Sequence, residues 1–351
     1  MIKQATLFFL VLGLAACSGI DQPSLSADSG VSDALLEDMP KEWADSYAGN
    51  LEVQLFIDRL VQEHNYDRKR LELAFSHIKV RPKVIEKSDN QPEVITPYYE
   101  YKTRFVNEER AKLGRQFAKR NAEWLHKAEL EFGVESKVIV ALIGVETYYG
   151  RITGSKDVFT SLTTLAFDYP RRKDYFQSEL EAYLLLARKE GWNIGETKGS
   201  YSGAMGMVQF MPSNYQKLAI DYDNSGHIDL WGSDADAIGS VANYLRHHGW
   251  KAGEPWFVMA HVEDRDKVAD DINRGRKPNV DMTVWSSLGV LPTQPFLLQK
   301  TGLIGLRTGP ETISYWLAYE NFFTIMDYNP SRRYAMSVLE LAESIGSYEN
   351  N

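Results

Sequence analysis

The 351-residue sequence predicts a mainly helical α+β fold, and three features of the sequence support this fold class. Apolar residues recur at helical spacing over Val53–Phe75 and Tyr98–Phe132. Lys137–Tyr149 is apolar almost all round, which is typical of a helix buried in a core. Residues 255–310 are instead rich in Gly, Pro, Thr and Val and show little helical period, which indicates a small β-containing insertion.

The composition is that of a soluble globular protein, with 44% hydrophobic and 25% charged residues. These proportions support a sizeable core and exclude disorder along the whole chain. The net charge of −9 argues against a nucleic-acid partner. The chain has a single cysteine, Cys17, which excludes an intramolecular disulfide.

Residues 1–16 have the features of a signal peptide, with a positive start followed by the apolar run Thr6–Leu14. The run is too short for a membrane-spanning helix, which needs about 20 apolar residues. Cys17 directly follows Leu-Ala-Ala, and this ending resembles the bacterial lipoprotein signal, in which the cysteine is lipidated. An ordinary signal peptide with a chance cysteine is the alternative. By resemblance to enterobacterial sorting, Ser18 after the cysteine favours the outer membrane.

The remaining segments follow in order. Residues 17–49 are rich in Ser, Asp and Gly and are predicted to be a flexible tether. The first helical stretch should consist of two short helices with a break near His64–Tyr66. Residues 81–97 contain three prolines and many charges, so we expect a loop. Residues 312–345, which follow Gly309 and Pro310, are expected to be largely helical.

Glu146 lies near the C-terminal end of the apolar helix, for which Gly150 is the predicted C-cap. Ile139, Leu142 and Ile143 lie on the same helix face as Glu146. Desolvation and the negative end of the helix dipole should both raise the pKa of this carboxyl. A general acid that works near neutral pH needs such an environment. A buried glutamate paired with an arginine is the alternative interpretation.

Five groups of motifs follow one another along the chain: Gly144–Gly150, Asp168–Arg172, Gly199–Gly206 with Gln209–Ser213, Asp236–Tyr244, and Tyr328–Asn329 with Tyr334–Met336. Together they resemble the lytic murein transglycosylases of the B type, relatives of glycoside hydrolases with a lysozyme-like core. The resemblance covers the chain from about residue 50 to its end. It implies a helical domain, a lysozyme-like catalytic core, the β-containing insertion and a C-terminal helical segment that completes the groove, over residues 50–115, 116–254, 255–310 and 311–351.

The resemblance also implies which residues act on the substrate. Glu146 would be the catalytic residue, and Asn329 lies where it would bind an acetamido group of the substrate. Arginines can bind carboxylates or amide oxygens of a peptide-bearing sugar, and tyrosines can stack on sugar faces. The substrate-binding residues implied in this way are Tyr101, Arg171, Arg172, Ser200, Gln209, Tyr244, Tyr328, Asn329 and Tyr334.

The segment Asp221–Asp229 resembles the start of an EF-hand loop. Oxygen ligands fall at the first, third and fifth positions, glycine is sixth, and the seventh would use a carbonyl oxygen. Gly232 stands where an EF-hand has its final glutamate, and by resemblance a later aspartate closes the loop. We expect a structural calcium or sodium ion, and an Asx-rich surface turn is the alternative. Asp229 is a weaker candidate for a ligand than the expected set, which is Asp221, Asp223, Ser225, His227 and Asp236.

The activity implied by the resemblance is non-hydrolytic cleavage of the β-1,4 bond between N-acetylmuramic acid and N-acetylglucosamine. Glu146 would act first as acid and then as base, and the product would end in a 1,6-anhydro sugar. A lysozyme-type muramidase and a non-catalytic glycan-binding scaffold are the alternatives.

No cofactor is expected for catalysis. The expected partners are peptidoglycan strands, the membrane through a lipid anchor, and complexes of cell-wall synthesis or degradation. The expected location is the periplasmic face of a Gram-negative outer membrane, with a soluble truncated form as a variant.

Overall fold

The computed structural model describes residue 43 and residues 46–79, 81–89 and 96–346. The predicted signal peptide, Cys17 and most of the predicted tether lie outside these residues. The contacts within the chain divide it into two compact units, one up to Ser76 and one from His77 onward. In the described part of the chain, no helix has both the length and the apolar character needed to cross a membrane.

The first unit contains a short 3-10 helix and the helices α1 (Leu51–His64) and α2 (Arg68–Ser76). The Asn50 side chain accepts a hydrogen bond from the Glu52 backbone N–H and so caps α1. Asn65, in the left-handed conformation with φ 54°, ends the helix. This confirms the two short helices and the break that the sequence predicts.

The second unit begins with α3 (Pro82–Asp89), so the predicted loop over residues 81–97 is wrong for its first half. Pro82 is the first residue of the helix, where proline costs no hydrogen bond. The helical stretch predicted from Tyr98 is divided into α4 (Tyr98–Tyr101), a 3-10 turn, α5 (Glu108–Arg120) and α6 (Ala122–Phe132). The predicted domain boundary after residue 115 therefore falls inside α5.

The helix that carries Glu146, α7 (Ser136–Thr147), lies in the core of this unit. It packs against α5 and α6 and against two later helices, α11 (Asp234–His247) and α14 (Arg332–Ile345). The predicted C-cap at Gly150 is wrong, because the helix ends at Thr147. Tyr148 is the C-cap, and it has the left-handed conformation with φ 55°.

A helical pair and a very small sheet follow α7. Strands β1 (Lys156–Asp157) and β2 (Lys198–Gly199) pair in antiparallel fashion. The chain between them forms α8 (Val158–Asp168), a 3-10 turn over Pro170–Arg172 and α9 (Lys173–Glu190), and α8 packs against α9. After β2, the chain turns through a glycine-rich segment into α10 (Pro212–Leu218).

The β-containing insertion is an antiparallel sheet with the strand order β4-β6-β7-β3-β5. Its strands are β3 (Phe257–Val262), β4 (Val280–Asp281), β5 (Val290–Pro292), β6 (Lys300–Arg307) and β7 (Ile313–Ala318). A short helix, α12 (Met282–Ser287), packs against this sheet, and α13 (Glu320–Tyr328) follows it.

The helical prediction from residue 312 onward is wrong for residues 313–318, because β7 is a central strand of this sheet. The β-branched and aromatic residues of Ile313–Ala318 suit a strand that pairs with β6 on one side and β3 on the other. The helix predicted for this region therefore starts only at Glu320.

Candidate active site

A cleft of about 740 Å³ opens in the second unit at the C-terminal end of α7. Its walls come from helices α4, α7, α9, α13 and α14, from the glycine-rich turn after β2 and from strand β6. Glu146 is the one acidic residue among the cleft-lining residues of the described chain, which are Pro97, Tyr98, Glu146, Arg172, Tyr175, Ser200, Tyr201, Ser202, Ala204, Gln209, Asn273, Gly305, Leu306, Arg307, Tyr328, Asn329, Pro330, Ser331, Arg332 and Arg333.

The Glu146 carboxylate is half-buried, and its Oε1 accepts a hydrogen bond from the phenol of Tyr334 on α14. The next residue, Thr147, donates through its hydroxyl to the carbonyl oxygen of Met207 at 2.7 Å. These two contacts fix the end of α7 from both sides. The carboxylate therefore reaches the cleft on a rigid support, which acid–base chemistry requires.

Two phenols lie near the carboxylate, one from the buried Tyr334 and one from the half-buried Tyr328. Burial raises the pKa of Tyr334 well above its ordinary range, and the charge of Glu146 raises it further. The pKa of Tyr328 is raised by the same two causes, again with burial as the larger. Both phenols therefore keep their protons near neutral pH, where Tyr334 acts as a hydrogen-bond donor to Glu146 and Tyr328 donates to the carbonyl oxygen of Val208.

The glycine-rich turn places Ser200 and Gln209 in the cleft wall. The Ser200 Oγ accepts the backbone N–H of Ala204 at 3.0 Å, which closes the turn on itself. Gln209 Nε2 donates to the carbonyl oxygens of Thr153 at 3.0 Å and Gly206 at 2.9 Å. With both amide hydrogens engaged, the Gln209 side-chain carbonyl is the group left to accept a hydrogen bond from a ligand.

The structure thus brings Arg172, Ser200, Gln209, Tyr328 and Asn329 to the same cleft as Glu146, as the sequence leads us to expect. The guanidinium of Arg172 lies 4.1 Å from the centre of the Tyr175 ring, which holds the charge at the cleft edge. Arg171, the other arginine of the pair, is exposed and is not among the cleft-lining residues.

Three predicted groove tyrosines lie behind the cleft wall rather than along it. Tyr101, Tyr244 and Tyr334 are 1%, 3% and 3% exposed, so none of them offers a ring face to a ligand in this conformation. The Tyr244 ring packs 4.7 Å from the Tyr328 ring, and its hydroxyl donates to the carbonyl oxygen of Asp327 at 2.8 Å. Tyr244 therefore supports the Tyr328 ring, and its expected contact with the sugar stays a prediction.

Several cleft residues were missed by the sequence analysis. Tyr98, Tyr175, Asn273, Arg307 and Arg333 all line the cleft. Asn273 belongs to the β-containing insertion, and its side chain bonds both the N–H and the carbonyl of Gly305 on β6. No local pattern marks Asn273 and Arg307, because only the packing of the insertion brings β6 to the cleft.

The EF-hand-like loop brings three carboxylates together, with one oxygen each from Asp221, Asp223 and Asp236 within 4.8 Å of one another. Asp236 is buried and accepts the backbone N–H groups of Tyr222 and Asp229 at 2.7 and 2.8 Å. The Asp229 carboxylate instead accepts the N–H groups of Trp231 and Gly232, both at 2.9 Å, so it closes a turn.

The other two predicted ligands, Ser225 and His227, lie in the same loop. The hydroxyl of Ser225 is 3.1 Å from the carbonyl oxygen of His227. The three carboxylates, the Ser225 hydroxyl and the His227 carbonyl supply oxygen atoms, which are the ligands that hard cations prefer. The His227 Nδ1 also lies 3.4 Å from the Ser225 hydroxyl. Burial raises the pKa of Asp236, whereas the hydrogen bond from Ser233 lowers the pKa of Asp223.

A family model described as "Transglycosylase SLT domain" matches residues 50–343. Membrane-bound lytic murein transglycosylase B of Escherichia coli (strain K12) is 36% identical over an alignment of 358 residues, which covers 98% of this chain and 97% of that protein.

Solved structures give the same relationship. The Escherichia coli lytic transglycosylase SLT35 in complex with bulgecin A is 36% identical, with a TM-score of 0.78 over 88% of this chain and 98% of that one. The same protein in complex with calcium has a TM-score of 0.77. SltB3 from Pseudomonas aeruginosa in complex with NAG-NAM-pentapeptide is 28% identical, with a TM-score of 0.73 over 85% of this chain and 79% of that one.

These similarities confirm the family that the motifs indicated and the mainly helical, lysozyme-like fold. The matched region includes Glu146, the glycine-rich turn, the EF-hand-like loop and the tyrosines near the end of the chain. The chain therefore belongs to the lytic murein transglycosylases and is an enzyme that acts on peptidoglycan.

Proposed function

We propose that Glu146 performs both proton transfers of the reaction. As the acid, it protonates the oxygen of the β-1,4 bond between N-acetylmuramic acid and N-acetylglucosamine, which breaks the C1–O bond. As the base, the resulting carboxylate removes the proton of the muramoyl C6 hydroxyl, whose oxygen forms the new bond to C1. The product is a 1,6-anhydromuramoyl end, and no water is consumed.

The observation that carries this proposal is that Glu146 is the one acidic residue among the described cleft-lining residues. Ordinary glycosidases need a second carboxylate, as a nucleophile or as a base for water. The C6 hydroxyl belongs to the same sugar as C1, so its effective concentration is high. Tyr334 supports this double role, because a neutral donor stabilises the ionised carboxylate without itself losing a proton.

Glu146→Gln tests this assignment on purified sacculi. We expect cleavage to fall by at least about 10²–10⁴-fold, the usual contribution of general acid–base catalysis, with glycan binding retained. Glu135→Gln is the matched control, because Glu135 directly precedes the same helix and is half-buried. Its carboxylate accepts a hydrogen bond from the Trp250 indole N–H at 3.0 Å, and it does not line the cleft. Retention of more than a tenth of the wild-type rate by Glu146→Gln would remove the residue from this role.

We propose that the substrate is bound by those predicted residues that line the cleft, which are Arg172, Ser200, Gln209, Tyr328 and Asn329. The SltB3 complex with NAG-NAM-pentapeptide supports glycan with an attached peptide as the ligand class. The Gln209 carbonyl and Asn329 would bind acetamido groups, and Arg172 would meet an anionic or amide oxygen. Tyr328 presents its ring to the sugar, while Tyr101, Tyr244 and Tyr334 support the wall from behind.

We also propose that the EF-hand-like loop holds a calcium ion. The residues that would hold it are Asp221, Asp223 and Asp236 through their carboxylates, Ser225 through its hydroxyl and His227 through its carbonyl oxygen. The calcium complex of SLT35 supports this choice of ion. The ion would neutralise the carboxylates and tie the loop to the start of α11, so its role is structural.

Thermal denaturation with and without calcium tests the site. An ion present at 100 times its Kd stabilises the native state by about 2.7 kcal/mol, which corresponds to roughly 5–10 °C for a unit of this size. Asp223→Ala should abolish the gain, whereas Asp264→Ala, an aspartate in the β-containing insertion, should keep it. If millimolar calcium leaves the melting curve of the wild type unchanged, the loop does not bind the ion and is only a surface turn.

Lipid attachment at Cys17 and a place at the periplasmic face of the outer membrane complete the proposal. Support comes from the Leu-Ala-Ala-Cys ending of the apolar run and from the membrane-bound relative. Cys17→Ala should leave the protein unprocessed or move it to the soluble periplasmic fraction. Unchanged recovery of this variant with outer membranes would exclude lipid as the anchor.

A further inference from the structure

The chain leaves the catalytic helix in an unusual way. Tyr148 and Tyr149, the second and third residues after Glu146, have φ values of 55° and 61°. The left-handed region is unfavourable for residues with a side chain, by about 1–2 kcal/mol each. Two successive tyrosines in this conformation persist only where their surroundings hold them there. The groups that hold this turn also determine where the last turn of α7 points.

The Arg110 side chain, on α5, contacts both the last turn of α7 and the tyrosine turn that follows it. Its Nη1 donates to the carbonyl oxygen of Gly144, two residues before Glu146, and its Nη2 donates to the carbonyl oxygen of Arg104 at 3.1 Å. The guanidinium also lies 4.5 Å from the centre of the Tyr148 ring. A planar group with several donors can make all three contacts at once, whereas an ammonium group cannot.

Tyr149 completes the connection between α5 and α7. Its hydroxyl donates to the backbone carbonyl of Arg110 at 2.9 Å. Its ring fills a slot that exists because both facing residues are glycines. A Cβ on Gly144 would lie 2.6 Å from the Tyr149 phenol, and a Cβ on Gly114 would lie 2.5 Å from its hydroxyl oxygen. The left-handed turn is therefore bound to α5 by the side chains of both Arg110 and Tyr149.

We propose that Arg110 is a positioning residue for the reaction, which holds the last turn of α7 so that the Glu146 carboxylate faces the scissile bond. The cation lies at the C-terminal end of the helix, where positive charge is favourable. The Gly144 carbonyl that it binds also accepts the backbone N–H of Tyr148 at 3.1 Å, so the guanidinium reinforces the end of the helix. Arg110 is not among the cleft-lining residues, so it acts through the backbone rather than on the substrate. This inference rests on the proposed role of Glu146.

Arg110→Met tests the proposal, and Arg115→Met is its matched control. Arg115 is on the same helix and also donates to a carbonyl oxygen near a helix end, that of Ser344 at 2.9 Å, but on α14. For Arg110→Met we expect kcat to fall about 10–100-fold, because small misplacement of a catalytic group has effects of this size. KM should stay within about twofold, and Arg110→Lys, which keeps one charged donor, should recover part of kcat.

Binding of uncut strands, measured in a Glu146→Gln background, should be the same with and without Arg110→Met. A kcat within twofold of the wild type, a rise in KM in place of the loss of kcat, or an equal loss in Arg115→Met would overturn the proposal. If Arg110→Met does not fold, Arg110→Lys carries the test, with a lowered kcat at unchanged KM as the expected result and an unchanged kcat as the contrary one. Activity in Glu146→Gln itself would instead refute the proposed function.

Discussion

The hydrogen bond between Tyr334 and Glu146 gives the most specific prediction about catalysis, and Tyr334→Phe removes it without removing the ring. The phenol is buried on α14 and donates to the carboxylate Oε1. Burial, and secondly the charge of Glu146, hold the pKa of Tyr334 well above its ordinary range, so the donor keeps its proton throughout the range of an activity assay. The bond therefore stabilises the ionised form of Glu146 and not the protonated form.

The magnitude follows from the type of bond. A hydrogen bond to a charged group contributes about 1.5–3 kcal/mol. Because 1.36 kcal/mol corresponds to one pH unit, loss of the donor should keep Glu146 protonated to a pH about 1–2 units higher. The basic limb of the kcat profile should therefore move to higher pH. The value of kcat at the optimum should fall, because proton donation by Glu146 loses the stabilisation of the carboxylate that this step forms.

The assay is the pH dependence of kcat on solubilised glycan strands, measured for the wild type and Tyr334→Phe. Tyr183→Phe is the control, because it removes another buried hydroxyl, which bonds the carbonyl oxygen of Ile194 at 2.7 Å. Tyr183→Phe should lower stability slightly and leave the pH profile in place. Superimposable profiles for Tyr334→Phe and the wild type, with kcat within twofold, would refute the reasoning.

Three further substitutions test the cleft wall. Gln209→Ala leaves the carbonyl oxygens of Thr153 and Gly206 without this donor. We expect the free energy of unfolding, measured by chemical denaturation, to fall by roughly 2 kcal/mol and KM, measured by kinetics, to rise. Gly206→Ala should lower Tm, because φ is 70° and the new Cβ would lie 2.6 Å from the Leu230 Cβ. Tyr244→Phe should cost about 1 kcal/mol of stability without changing glycan affinity, and affinity weakened more than tenfold would show that Tyr244 contacts the sugar.

The parts of the structure that were predicted correctly depend on local patterns. The break after α1 follows from the helical period and from Asn65, and the buried helix follows from the apolar run around Glu146. Ser200 and Gln209 lie at the cleft as expected, and both belong to one short stretch of the sequence, the glycine-rich motif and the residues directly after it. In these cases the residues that determine the structure are neighbours in the sequence.

The errors come from contacts between distant residues. Residues 313–318 form a strand because β3 and β6 pair with it on both sides, and neither pairing is visible in the local period. The helix ends at Thr147 and not at Gly150, because α5 holds the tyrosine turn that follows. The burial of Tyr244 behind Tyr328 also depends on a contact between distant residues, and the expected role of Tyr244 in binding stays a prediction.

The most direct test of the central claim is digestion of purified sacculi in oxygen-18 water, followed by mass spectrometry of the new muramoyl ends. If the C6 hydroxyl attacks C1 and Glu146 supplies both proton transfers, the ends carry no label and are one water lighter than reducing ends. If water attacks C1, each new muramoyl end gains one labelled oxygen. Label at those ends would contradict the single-glutamate mechanism and would require a base for water within the cleft.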